Sequence, residues 1–335
     1  MQPENDRAAR RRKREFSGRP RLKSASALGI LLALLPIGLN GQPSWKWRFT
    51  FVSPLRSEYW ATIARGIQDA SREAKANTIQ TGPIGEVDAD LQIQAIESAI
   101  AAKVDGIVTM ALDPKRFTAV IDKAVRSGIP VVLVDTDAPD SRRAAYVGTD
   151  NFAAGKEAAR IMVKAIRDNA EIGIITGPAE ADNLKLRISG FRAGISAYPG
   201  LRIMDTQIGN SDLLMESERI EKMLSDHPGI SALFGADGYG SIASAIVAKQ
   251  LGRAGRMTII GFDVSSEVAE NIKDGIVEAV IVQANYQMGY QAIEVLAGIK
   301  AGRMPAKAII HTEIRILTAK NIDAYGLEAD VSARP

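Results

Sequence analysis

Several short apolar runs in this 335-residue sequence end on a residue able to make more than one hydrogen bond. "PVVLVD" ends on Asp135, "SALFGAD" on Asp237, "MTIIGFD" on Asp263 and "EAVIVQ" on Gln283. The run "RFTFVS" is soon followed by Ser57, Tyr59 and Trp60, and Arg187 stands within "LKLRISGF". A carboxylate accepts from two neighbouring hydroxyls, a guanidinium donates from a rigid fork, and an amide does both. Aromatic faces cover the apolar C–H side of a sugar ring. A fold that gathered these ends would present a surface suited to a polyhydroxylated ligand.

Each residue also has a plainer reading. The three aspartates precede helical stretches, where N-capping is an ordinary role. Trp60 begins the apolar stripe of its helix, so core packing competes with ligand stacking, whereas Tyr59 lies off that stripe. Arg187 sits mid-helix, where a solvated charge is common, and Gln283 could be polar punctuation. Asp113 before Pro114 reads as a helix start. There is no Cys, and His227 and His311 are the only histidines. With no D-x-D-x-D-G loop and no G-x-S-x-G elbow, the sequence offers neither a metal site nor a nucleophilic triad. The expectation is binding without a reaction, a metal or a cofactor.

The elements that would position these residues follow a regular order. Ten short runs rich in Val and Ile, from residues 48–53 to 278–283, are bounded by Gly, Pro or Asp and alternate with amphipathic stretches. Strands buried on both faces of a parallel sheet look like this. Repeated βα units imply parallel sheets with helices on both sides. Ten strands are many for one small sheet, so two similar α/β lobes are expected, with ligand contacts beyond the carboxyl ends of the strands.

Composition fits a soluble globular body, at 46% hydrophobic and 24% charged residues. The net charge of +3 comes from the N-terminus. Residues 1–23 hold nine of the 42 Lys and Arg but three of the 39 acids, leaving 33 basic and 36 acidic residues beyond. A body at −3 is a poor nucleic-acid surface. The basic run is followed by "ASALGILLALLPIGL", Ala25–Leu39, which is short for a membrane span and reads as a secretory signal. An uncleaved N-terminal anchor is the alternative. Either places the body outside the cytoplasm, in the periplasm.

The stretches "VVLVDTDAPDSRRAAYVGTDNFAAGKEAA", "RISGFRAG", "LFGADG", "TIIGFD" and "VIVQANYQMGYQAIEVL" resemble the periplasmic sugar-binding proteins of the ribose-binding type, the type I binding components of ABC importers. The likeness runs from about residue 48 to the C-terminus in the family's order. It implies two doubly wound lobes joined by a three-segment hinge, a sugar or polyol as ligand, an ABC permease as partner, and a monomer. It also implies ligand contacts from Tyr59, Trp60, Asp135, Arg187, Asp237, Asp263 and Gln283, with Ser57 where the family often has Asn. Thr136 stands where an Arg often follows the aspartate, and Asp237 where Asn is common.

The same resemblance turns "YVGTDNFAAG" (146–155) into the first interlobe crossover, with Thr149, Asp150 and Asn151 as hinge residues. Gly148 would relax the backbone there, and Asp150 or Asn151 would cap the next helix. The stretch has too little glycine for a phosphate loop and no partner base for acid–base work. Further crossovers are expected near 283–285 and 309–312. The lobes are then 44–150 plus 284–310, and 151–283 plus 311–335, after the N-terminal segment 1–43. A sugar-sensing module for a membrane receptor or kinase is an alternative. A LacI-type regulator core is another, but it needs an N-terminal helix-turn-helix where this chain has Arg-rich and apolar segments.

Overall fold

A computed structural model describes residues 44–84, 87–166 and 169–325. The segment read as a secretory signal or anchor lies outside the described residues. Along the chain come β1 (Trp47–Val52), α1 (Glu58–Glu73), β2 (Ala76–Thr81), α2 (Ala89–Ala101), β3 (Gly106–Thr109), α3 (Pro114–Arg126), β4 (Val131–Val134) and β5 (Ala145–Thr149). Then follow α4 (Asn151–Ala165), β6 (Ala170–Thr176), α5 (Asp182–Ile195), β7 (Leu201–Ile208), α6 (Leu213–Asp226), β8 (Ile230–Gly235), α7 (Gly238–Gln250) and β9 (Thr258–Phe262). The chain continues with α8 (Ser266–Lys273), β10 (Ala279–Gln283), α9 (Asn285–Lys300), β11 (Ile309–Thr312) and β12 (Ile314–Thr318).

The strands form two six-stranded sheets, ordered β11-β5-β4-β3-β1-β2 and β12-β10-β9-β8-β6-β7. Every pair is parallel except β10 with β12. The β-branched strand β4, VVLV, is buried along its whole length, as a strand covered on both faces should be. The two orders superimpose strand for strand, so β4 corresponds to β9 and β5 to β10. Asp135 and Asp263, each following one of these strands, occupy matching places in the two lobes.

Helix starts follow local chemistry. Asp113 Oδ1 accepts from the Lys115 and Arg116 amides, with Pro114 opening α3. Asp150 Oδ1 accepts from the Ala153 amide at 2.9 Å and caps α4. Two helices leave the sheet their preceding strand belongs to. The helix α4 follows β5 but packs on α5, β9 and β10, and α9 follows β10 but packs on α1, β3, β4 and β5. Glycines allow both helix pairs to approach closely. A Cβ on Gly155 would strike the Arg187 carbonyl, and one on Gly66 would strike that of Tyr286.

The chain passes between the sheets at 149–151, at 283–285 and at Glu313. The expected division after residue 310 falls inside β11. Ile309 pairs with Tyr146 and Thr312 with Thr149, while Ile314–Thr318 run antiparallel to β10. The first lobe therefore keeps the strand through Thr312. Gly148 also differs from expectation. It lies buried within β5, and a Cβ there would collide with the Tyr146 hydroxyl, which donates to the Asp135 carbonyl at 2.8 Å. Space for that tyrosine, rather than a relaxed backbone, accounts for this glycine.

Candidate functional site

Strand ends of both sheets converge on a cavity of about 340 Å³. Its wall contains Ser57, Tyr59, Trp60 and Asp135 from the first lobe, and Arg187, Asp237, Asp263 and Gln283 from the second. All eight residues singled out as ligand contacts therefore meet at one place. The residues expected to form the hinge stand where the chain crosses between the sheets: Thr149 ends β5, Asp150 caps α4 and Asn151 begins that helix.

On the first-lobe side, Ser57 is in the first place the N-cap of α1, accepting weakly from the Trp60 amide at 3.5 Å. Trp60 belongs to the core and packs against Phe51. It also holds Tyr59 edge-on, with ring centroids 5.2 Å apart. Tyr59 donates from its hydroxyl to Asp135 Oδ1 at 2.5 Å. Asp135 Oδ2 accepts from Thr136 Oγ1 at 2.9 Å. It also accepts, across the cleft, from Asn183 Nδ2 at 3.4 Å.

On the second-lobe side, Arg187 is no surface charge, being 1% exposed. Its guanidinium lies 3.8 Å from the Phe262 ring centre. Nε and Nη2 donate to Asn151 Oδ1 at 3.2 and 2.8 Å, and Nη1 donates to the Ala236 carbonyl at 2.6 Å. Asp237 does cap α7, through the Gly240 amide, and it also accepts from Ser211 Oγ at 2.6 Å. Gln283 is integral to the wall rather than punctuation. Its Nε2 donates to Asp263 Oδ1 at 3.1 Å, and its Oε1 accepts from Thr149 Oγ1 at 2.9 Å.

Among the described residues, Asp135 and Asp263 cap no helix. Both have left-handed backbone, φ 64° and 60°, and Ser265 caps the helix after Asp263. Asn210 and Ser211, after β7, share this conformation at 58° and 56°. Non-glycine residues held this way cost about 1–3 kcal/mol each and gather at functional sites. Burial raises the carboxyls of Asp135, Asp237 and Asp263 above their ordinary range, Asp263 to about 6. Arg187 opposes the shift in all three cases.

Sequence reading passed over two groups. Tyr239 reaches the cavity wall two residues after Asp237, with no pattern to mark it. Glu216, on the amphipathic α6, is fully buried. Its carboxyl is raised to about 10, first by burial and then by the charge of Asp237.

Two doubly wound lobes around a polar and aromatic cavity define the architecture of a type I periplasmic binding protein. Comparison with known proteins gives the same result at the level of sequence. The chain belongs to the periplasmic binding protein domain family, which matches residues 49–304. It is 26% identical over 312 residues to a D-ribose/D-allose-binding protein of Pseudomonas aeruginosa, covering 89% of this chain and 98% of that one. It superimposes with a TM-score of 0.79 on GanP, a glucose-galactose binding protein from Geobacillus stearothermophilus, at 34% identity and with 82% and 98% coverage. A solute-binding protein from Burkholderia graminis in complex with D-arabinose gives 0.79 at 28% identity, with 85% and 99% coverage. The family is one of binding proteins rather than enzymes.

Proposed function

We propose that this chain captures a monosaccharide or related polyol between its lobes and delivers it to an ABC sugar importer. One observation carries the reading. Eight residues from separated segments, chosen for their hydrogen-bonding and stacking chemistry, line a single interlobe cavity in a protein of this family. The relatives named for ribose, allose, glucose, galactose and arabinose support the ligand class. The three crossing segments would act as a hinge, and the closed form would be what the permease recognises. The basic and apolar N-terminal segment would direct export to the periplasm, where the protein would act as a monomer.

Thermal denaturation of the full chain against pentoses, hexoses and inositols tests the proposal. A bound sugar stabilises the folded state by mass action, by about 2.7 kcal/mol at a hundred times its Kd, and so raises the melting temperature. The Asp263→Ala variant is expected to fold and to lose that rise. If no sugar or polyol shifts the wild-type protein, capture of this ligand class is wrong. A rise retained by Asp263→Ala places the ligand elsewhere.

A further inference from the structure

Charge refines the ligand class, on the basis of the capture reading above. Asp135, Asp237 and Asp263 stand on the cavity wall and Glu58 at its exposed rim, while Arg187 is the sole cation among the described lining residues. Arg187 is held by Asn151, the Ala236 carbonyl and the Phe262 ring. Among the described residues it forms no ion pair with any of the three aspartates. Asp135 accepts on both oxygens, and so does Asp237. Asp263 accepts from Gln283 on Oδ1 alone, leaving Oδ2 without a protein donor among the described residues. The wall thus has a surplus of negative charge, and an acceptor in want of a donor.

Closing such a cavity on a neutral ring would bury three carboxyls around one guanidinium. Buried charge without a counter-charge is costly, and a like-charged cluster more so. A ligand ammonium supplies a second positive charge and two or three N–H donors with no acceptor. The rings of Tyr59, Trp60 and Tyr239 on the same wall suit both the C–H face of a sugar and a cation. We infer that the cavity prefers a sugar or polyol carrying a protonated amine over its neutral counterpart, with the ammonium seated against Asp263 Oδ2.

Calorimetric titration of the full chain at pH 7 with matched ligands decides this. The pairs are galactosamine with galactose, glucosamine with glucose, and the iminosugar 1-deoxynojirimycin with 1,5-anhydroglucitol. The N-acetyl forms of the two hexosamines keep the nitrogen and remove its charge. At least one amine is expected to bind tenfold or more tightly than both its neutral oxygen counterpart and any N-acetyl form. In Asp263→Asn that ratio should fall towards one. Neutral members that bind as tightly as their amines overturn the preference while leaving sugar capture standing. Binding by neither set counts against the capture reading, and the preference falls with it.

Discussion

Glu216 is a fully buried carboxyl with no opposite charge against it among the described residues. Its folded value near 10 lies above the unfolded value of 4.5, so the folded state holds its proton where the unfolded chain has released it. Stability from this group is therefore full below pH 4.5 and declines as pH rises towards 10. At pH 7 the accumulated loss is about 3 kcal/mol. Glu216→Gln, which keeps the shape and cannot ionise, should be more stable than wild type at pH 7 by an amount of that order. Its unfolding free energy in urea should also change less between pH 5 and 9. Asp263 acts in the same direction over a lower window. Its value near 6 makes the ligand-free protein lose stability between about pH 4 and 6, and Asp263→Asn should remove that part of the slope. Arg187 has the opposite character, because its buried donors satisfy Asn151 and Ala236. Arg187→Ala strands those acceptors and should cost about 3 kcal/mol in urea unfolding besides any ligand affinity. A loss under 1 kcal/mol would show that water replaces the guanidinium.

Between elements, several helix pairs approach closely where a glycine faces a carbonyl. A Cβ on Gly66 would meet the Tyr286 carbonyl, and one on Gly289 that of Ile63. Gly155 and Gly190 stand likewise against Arg187 and Phe152. Backbone yields less than a side-chain tip, so Gly289→Ala or Gly155→Ala should lower the unfolding free energy by about 2–3 kcal/mol. Gly155→Ala should also weaken ligand binding, because α5 carries Arg187. An unchanged midpoint in either variant would mean that the helices separate freely. These contacts mark where sequence reading reached its limit. Strands such as VVLV declare themselves because both faces are covered, and Asp135, Asp237 and Asp263 were legible because they end such runs. Glycine spacing in α1 and α9 gives no hint of the partner, since βα order assigns each helix to its own sheet. β11 and β12 were not separable because both are edge strands of mixed exposure, and Glu313 between them carries no turn signal. Left-handed backbone at Asp135 and Asp263 is invisible in residue type, so capping was a fair alternative for all three aspartates and holds for Asp237.

Across the whole molecule, the site and the crossings share one hydrogen-bonded chain. Arg187 donates to Asn151, Asn151 donates to the Thr149 carbonyl, Thr149 donates to Gln283, and Gln283 donates to Asp263. Two crossing segments thus hold two second-lobe wall residues in place. Asn183 and Asp135 join the lobes directly at 3.4 Å. In a two-state opening equilibrium, a contact made only when the lobes meet favours the closed state before any ligand arrives. A hydrogen bond of about 1 kcal/mol shifts that ratio about fivefold. Asn183→Ala should therefore raise the radius of gyration of the ligand-free protein in solution scattering. From equal populations of the two states, the closed fraction would fall to about one sixth and ligand binding would weaken about threefold, since apparent affinity scales with the competent fraction. Saturating ligand should return the variant to wild-type dimensions. An affinity loss with unchanged ligand-free dimensions would place Asn183 on the ligand itself and remove it from the closure equilibrium.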